Sequence, residues 1–357
     1  MQKIVIALAT ISALTAAAGL IGYLKYDGSP KIMNLEYPQE VLDAWTHWKA
    51  KHVRLYSTQA LDSHNLQNFY VNYQKVVKSN SNPEFTFKLE LNSFADISEQ
   101  EFTDIYLKSF DSDDITKSVE TEKEANERQQ AQAVDEWDWV LKGAVTHIKD
   151  QGHCGSCWAF GAIGALEGLN FIKNNKLQEF SEQQLVDCNT GSFFPPVIGN
   201  NGCAGGLPSR AFTYTSSKGI MLEDDYPYTS GTGRTTDCKY EKSKVAFKNS
   251  SWKGVFPMSN DALKSSIVTQ PTSVCINASG IQLYKGGVYN DWSCSALINH
   301  AVLAVGYGTD PEEGMYYKIK NSWNEKHGEN GYYRLARAEG YGFGICGIAT
   351  RGSYPTA

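Results

Sequence analysis

The stretch DQGHCGSCWAF, residues 150–160, sets Cys154 and Cys157 between a polar approach and an aromatic, apolar run. A Cys-x-x-Cys pair serves several chemistries: half a zinc site, a redox couple, two disulfide partners, or a nucleophile beside a structural sulfur. Zinc asks for a second such pair or for histidine at ligand spacing, and neither stands nearby. A thioredoxin-like couple asks for a preceding strand in a βαβ unit, which the surrounding pattern does not suggest. These residues alone leave the structural and nucleophilic readings open.

The chain has 357 residues, 41% hydrophobic and 12% aromatic, enough for a substantial core and more than one structural unit. Its net charge of -6 comes mostly from residues before 134. No basic block or aromatic-spaced Lys/Arg stripe occurs, which argues against a nucleic-acid partner. Residues 4–24 carry no charge between Lys3 and Lys25, with small residues at 16–18. Segment 1–24 is therefore expected to be a cleaved secretory signal, or a signal-anchor, since its length also suffices to span a bilayer. Either sends the chain into the secretory pathway, toward a lysosome or digestive vacuole or the extracellular space. There the eight cysteines favour disulfides over metal.

The cysteines all fall after residue 150. Upstream, AWTHWKAKHVRLY and ALDSHNLQNFYVNYQKVVKSN predict two amphipathic helices, with Leu61, Phe69 and Val76 on one face and Tyr73 between, before a brief strand-like alternation ahead of Phe94. Residues 111–133 hold Ile115 and Val119 as their only large apolar side chains, and are expected to be an exposed, protease-accessible linker. Downstream, 157–173 repeats small and apolar residues as a buried helix would, and Ser181 with Gln184 predicts a capping box. Beyond about residue 244 the texture turns to strands: HAVLAVGYG, MYYKIKNSW and GYYRLARA.

A cysteine nucleophile needs a base, a group that orients the base, and donors for an oxyanion. Cys157 opens its helix, where the N-terminus favours a thiolate. Among seven histidines, His300 opens an apolar strand, a position from which a ring can face a cleft, and Asn321 ends the next strand.

With CGSCW joined by SEQQLVDC, GCAGG, YPY, NHAVLAVGYG, KNSW, GENGYYRL and CGIA, in that order, the chain resembles the papain family of cysteine proteases, of the cathepsin L-like kind. The resemblance implies an α+β, papain-like two-domain fold: a helical left domain, a β-barrel-like right domain and an active-site cleft between them. This peptidase domain, 134–357, would follow a mostly helical inhibitory propeptide within 25–133. Cys157 would be the nucleophile, His300 the base and later acid, Asn321 its orienting partner, and Gln151 an oxyanion donor beside the Cys157 N–H. The family also implies disulfides Cys154–Cys203, Cys188–Cys238 and Cys294–Cys346. Substrate contacts would fall to Gly205, Gly206, Leu207, Pro208, Cys275, Asn299 and Ala301. Trp323 would shield the Asn321–His300 contact, and Arg351 would form the floor of the S2 pocket.

The implied activity is endopeptidase cleavage through a thioester by an enzyme made as a zymogen and activated in acid. A peptide ligase on the same fold and an inactive protease-like binding protein are the alternatives. No cofactor or metal is implied. Expected partners are protein and peptide substrates, the chain's own propeptide and cystatin-like inhibitors, with the enzyme itself a monomer.

Several residues depart from the family pattern. Asn324 stands for a glycine and His327 for a tryptophan, which places the packing behind Trp323 in question. Leu61 and Asn65 stand for the Glu and Arg of a propeptide helix otherwise matched by Phe69, Asn72, Val76 and Asn80, so its salt bridges must differ. Glu90 replaces a glycine in ELNSFAD. Segment 189–202 is longer than in close relatives, yet too short for an exopeptidase's occluding loop. Asn249 and Asn277 head glycosylation sequons.

Overall fold

The computed structural model describes residues 36–108, 118–131, 134–191 and 199–357. The expected signal or anchor, the start of the expected linker, its end at 132–133 and the middle of the longer segment 189–202, at 192–198, lie outside the described residues. Among the described residues no helix is long and apolar enough to cross a membrane. The chain divides into two units after Leu42. The first contributes 36–42, the opening of α1 (Gln39–His52), and the second, Asp43–Ala357, holds every other element.

Thr58 accepts the Leu61 amide and starts α2 (Gln59–Asn80), whose Phe69 is fully buried between Trp45 and Trp48, 5.1 and 5.5 Å away. Leu61 does not share that face and is exposed. Eight residues at 100° each leave it about 80° around the helix from Phe69. Ion pairs Lys49–Asp62 (2.8 Å) and Arg54–Asp96 (3.3 Å) and the His64–Glu101 hydrogen bond (2.9 Å) tie this unit together. After the short strand β1 (Lys88–Leu89), Ser98 and Glu101 form a complete capping box that starts α3 (Glu99–Tyr106) and turns Phe102 and Tyr106 inward.

Residues 118–131 depart from the linker expectation. Glu122–Ala131 is a helix, α4, docked on the peptidase region. Arg128 pairs with Glu120 at 2.6 Å and donates to the Ala262 carbonyl, while Glu120 accepts the Phe256 amide. Composition misleads here because the charged side chains satisfy one another and nearby backbone, so ordering does not depend on apolar burial.

The peptidase region opens with β2 (Trp137–Asp138) and then α5 (Cys157–Asn174), the buried helix that its small residues predict. An added Cβ at Gly164 would sit 2.7 Å from Leu303, so glycine permits the close approach of helix to sheet. The helix α6 (Glu182–Cys188) takes only half of its expected capping box. Ser181 caps the Gln184 amide, but the Gln184 side chain instead holds Met221 N and Gly219 O. Next come α7 (Pro208–Lys218), β3 (Ile220–Met221), β4 (Val245–Phe247), β5 (Ser251–Gly254) and α8 (Asn260–Thr269). The remaining strands are β6 (Thr272–Ile276), β7 (Tyr284–Gly286), β8 (Val288–Tyr289), β9 (His300–Asp310), β10 (Gly314–Lys320), β11 (Tyr332–Ala336) and β12 (Gly352–Thr356). The main sheet runs β5-β12-β6-β9-β10-β11-β8, with β2 on β9. This is the expected α+β architecture, and β1 of the upstream unit pairs antiparallel with β7. The three expected disulfides are present, and Cys157 and Cys275 are free and buried.

A buried charge cluster ties α5, α6 and β10 together. Lys149 Nζ lies 3.0 Å from Glu167 and 2.7 Å from Glu182, and Lys320 Nζ donates to Thr146, which donates to Glu167. Burial pushes Glu182 up to about 7 against the pull of Lys149, and pushes Lys320 down to about 8. Lys149→Met strands two buried carboxylates and is expected to cost about 3–5 kcal/mol. In thermal or urea unfolding the deficit shrinks as pH falls, because protonation of Glu182, which burial raises to about 7 even with Lys149 in place, relieves the stranded charge. A deficit independent of pH, or none, contradicts this.

Candidate active site

The start of α5 and the start of β9 bring Cys157 and His300 into one buried region. Ser156 precedes the helix but does not cap it, since its hydroxyl pairs with that of Tyr228 at 2.8 Å. His300 Nε2 donates to Asn321 Oδ1 at 2.8 Å, and its ring stacks on Trp323 with centroids 4.6 Å apart. Its other nitrogen, Nδ1, has no hydrogen-bond partner among the described residues. Gln151 is anchored by Ser322, whose hydroxyl donates to Oε1 at 2.7 Å, and its Nε2 donates to Cys154 O at 2.9 Å. The same Nε2 makes a longer contact, 3.4 Å, with the carbonyl of Tyr106.

That carbonyl belongs to the upstream unit, whose end passes over the site. The Lys108 amide donates to Asn299 O at 2.8 Å. The Lys108 side chain crosses Gly155 and Gly205, where an added Cβ would come within 2.7 and 3.0 Å of it. Phe94, Phe102 and Tyr106 surround Trp323 at 5.9, 4.9 and 6.1 Å. Asn92 donates to Gln282 O, and Gln282 Nε2 donates to the carbonyls of Phe94 and Ile97. Lys108 and Tyr106 are site residues that the sequence reading missed; the family motifs end short of them.

Burial sets the protonation states. It pushes the Cys157 thiol up to about 11, opposed by the amides of Ala301 and Trp158 and by the Lys108 charge. It pushes His300 down to about 4, opposed by the Asn321 hydrogen bond. Burial under the propeptide thus disfavours both the Cys157 thiolate and the His300 imidazolium.

Ala301 faces Cys275 across the β6–β9 ladder, and Cys275 N donates to Arg351 O. Burial pushes the Cys275 thiol up to about 12 despite the Arg351 charge. Gly206 faces Asn200, not the propeptide segment. Leu207 and Pro208 turn into α7, with Leu207 buried and its backbone clamped by Asn200. Asn324 takes a left-handed φ of 58°, which asparagine tolerates, so the loss of glycine there is accommodated. The packing behind Trp323 survives too, because His327 lies edge-on to it at 5.2 Å. Both sequon asparagines are buried. Asn249 Nδ2 donates to the carbonyls of Phe212 and Ser251, and Asn277 Nδ2 to that of Leu297, bonds that a glycan would break.

Residues 133–356 match the papain family cysteine protease. The chain belongs to that family. Residues 45–102 match the cathepsin propeptide inhibitor domain (I29), so the protease carries its inhibitor on the same chain and is a zymogen. It is 35% identical to cathepsin L of Sarcophaga peregrina over the whole of both chains. With papain of Carica papaya it shares 35% identity over 94% of this chain and 91% of that one. A solved recombinant stem bromelain precursor superposes with a TM-score of 0.78 at 32% identity, over 89% of this chain and 99% of the other. The protease is thus a cathepsin L-like cysteine endopeptidase with protein substrates and an intramolecular inhibitor.

Phe102 is fully buried against Trp323, so Phe102→Ala is expected to weaken docking by about 3–5 kcal/mol. In an otherwise matched Cys157→Ser chain, amide exchange over 99–108 should speed up by at least about a hundredfold while β9 stays protected. Unchanged exchange at 99–108 contradicts the docking geometry.

Proposed function

We propose that Cys157 is the nucleophile of this endopeptidase, His300 its base and acid, Asn321 the residue that orients His300, and Gln151 an oxyanion donor. The observation that carries this reading is the His300 ring held between Asn321 and Trp323, with Gln151 Nε2 already turned to a propeptide carbonyl. With the cleft open to water, the proton of Cys157 passes to His300 and the thiolate attacks a peptide carbonyl. The oxyanion takes N–H groups from Gln151 and the Cys157 backbone. His300 gives its proton to the departing amine, and water then cleaves the thioester with His300 as base.

The propeptide is taken to span 25–133, with the peptidase domain starting near Val134. Secretory routing toward a lysosome, digestive vacuole or the exterior, a monomeric enzyme and cystatin-like inhibitors belong to the same reading, supported by three disulfides and the family. Beside apolar P2 side chains, the S2 pocket accepts Glu or Asp through Arg351, which lies close enough to act on Cys275.

Acid loosens the propeptide through particular carboxylates. Burial raises Glu101, but hydrogen bonds from His64 and Ser98 outweigh it and leave its pKa below normal. Glu124 is held down to about 2 by Lys253 and then Thr121. A depressed folded pKa stabilises the propeptide fold at Glu101 and its contact with the peptidase region at Glu124 above the ordinary carboxylate value, and loses that stabilisation as pH falls toward the folded value. Asp96 acts the other way, because burial raises its pKa and protonation favours the folded propeptide. Release is therefore expected to accelerate below about pH 4.5, the ordinary value of Glu101.

Processing of the full chain should speed up in acid, be abolished by Cys157→Ser and be less acid-dependent in Glu101→Gln. Processed enzyme should lose about 10²–10³ in kcat with Gln151→Ala. Its P2-Glu to P2-Leu ratio should fall in Arg351→Ala. Self-processing of Cys157→Ser at the wild-type rate overturns the catalytic assignment, and an unchanged P2 ratio overturns the Arg351 assignment.

A further inference from the structure

Asn321 has a problem that its contact with His300 does not solve. Its amide has two similar ends, and only the oxygen can accept the His300 Nε2–H. Turned over, it would set an N–H against an N–H. What lies behind the amide decides which end faces His300.

Behind it stands Tyr333, on β11, whose hydroxyl pairs with Asn321 Nδ2. A hydroxyl can donate or accept, so by itself it would serve either orientation. Its proton, however, is committed to His327 Nδ1, 3.1 Å away. An imidazole is also ambivalent, but His327 Nε2 lies 2.9 Å from the carbonyl of Gln282, and a carbonyl can only accept. The proton of His327 must then sit on Nε2, Nδ1 must be a lone pair, Tyr333 must donate to it, and the Tyr333 oxygen must accept from Asn321. The polarity of the whole series follows from a backbone group that has no choice.

We propose that Tyr333 and His327 are positioning residues for the catalytic imidazole, linked in a one-way hydrogen-bond chain from His300 through Asn321, Tyr333 and His327 to the Gln282 carbonyl. The inference rests on the reading of Asn321 as the residue that orients His300. The chain is sealed: His327 is 2% exposed, and Phe94, Trp323 and Tyr333 enclose its ring at 5.3, 5.2 and 5.5 Å. The titratable groups near it are His300 and the Tyr333 phenol, and burial pushes His327 down to about 4, which keeps Nδ1 an acceptor above that pH. All five members lie within the residues that match the protease family, so the chain outlasts propeptide removal. Asn92 of the propeptide shares the Gln282 carbonyl without displacing His327, because that oxygen has two lone pairs.

The chain also polarises the Asn321 amide and so supports the imidazolium. Losing it should lower the His300 pKa in the active enzyme and move the alkaline limb of kcat/KM, where the imidazolium proton is lost, to lower pH.

The test uses wild type, Tyr333→Phe, His327→Phe and the double variant, each matured from the full chain and normalised by titration with an epoxide thiol inhibitor. Each single variant should lower kcat by about 3- to 30-fold, leave KM within about twofold and move the alkaline limb down by about half a pH unit or more. The double variant should be no worse than either single one, since all break the same chain. Imidazole ¹⁵N shifts of the wild-type full chain should show His327 as the Nε2–H tautomer. Wild-type kcat and limb in the folded variants, additive losses in the double variant, a kcat loss without a limb shift, or the Nδ1–H tautomer overturns the proposal. A wild-type enzyme without thiol-dependent peptidase activity would instead sink the catalytic reading beneath it.

Discussion

The contact on which the rest depends is the stack of His300 on Trp323. One face of the indole covers the imidazole and keeps water from its bond to Asn321. The same ring is the platform on which Phe94, Phe102 and Tyr106 of the propeptide assemble. On the proposed catalytic roles, catalysis and inhibition share one aromatic surface. On those proposed roles, desolvation adds to blocking: with the cleft covered, burial disfavours both the Cys157 thiolate and the His300 imidazolium. The Tyr106 carbonyl at Gln151 and the Lys108 amide at Asn299 occupy, with backbone alone, positions that the catalytic reading gives to substrate.

Much of this was legible in the sequence because the decisive positions are local. The helix at Cys157 announces itself by small residues that only a close helix–sheet contact requires, the strand at His300 by a continuous apolar run, and the strand before Asn321 by tyrosines and Ile319 interleaved with lysines. The disulfide partners came from the family resemblance, since spacing cannot select one pairing among many. What stayed hidden depends on partners distant in sequence. α4 looked like linker because its stability lies in the Glu120–Arg128 pair and in backbone acceptors at Ala262 and Gly254. Leu61 read as sharing the Phe69 face because eight residues come close to two helical turns, yet they leave it about 80° away and exposed.

The departures from the family pattern prove to be compatible with the fold in different ways. Asn324 needs only a tolerated left-handed backbone. His327 needs more, because a buried imidazole in place of an indole brings a lone pair that must be filled. Tyr333 fills it from one side, and its own oxygen then meets Asn321. Nothing in the local sequence around GENGYYRL ties Tyr333 to His327, so the pair becomes visible only when β11 places the hydroxyl between two side chains. The same holds for Asn249 and Asn277, whose sequons are plain in the sequence while their amides are engaged inside the fold.

The central claim, that the propeptide silences the catalytic pair by removing it from water, is tested most directly by the pH dependence of Cys157 alkylation in the full chain and in processed enzyme. The full chain should react slowly, with a rate that keeps rising toward pH 11, while processed enzyme should reach its plateau well below that. The same titration midpoint in both forms would contradict the account.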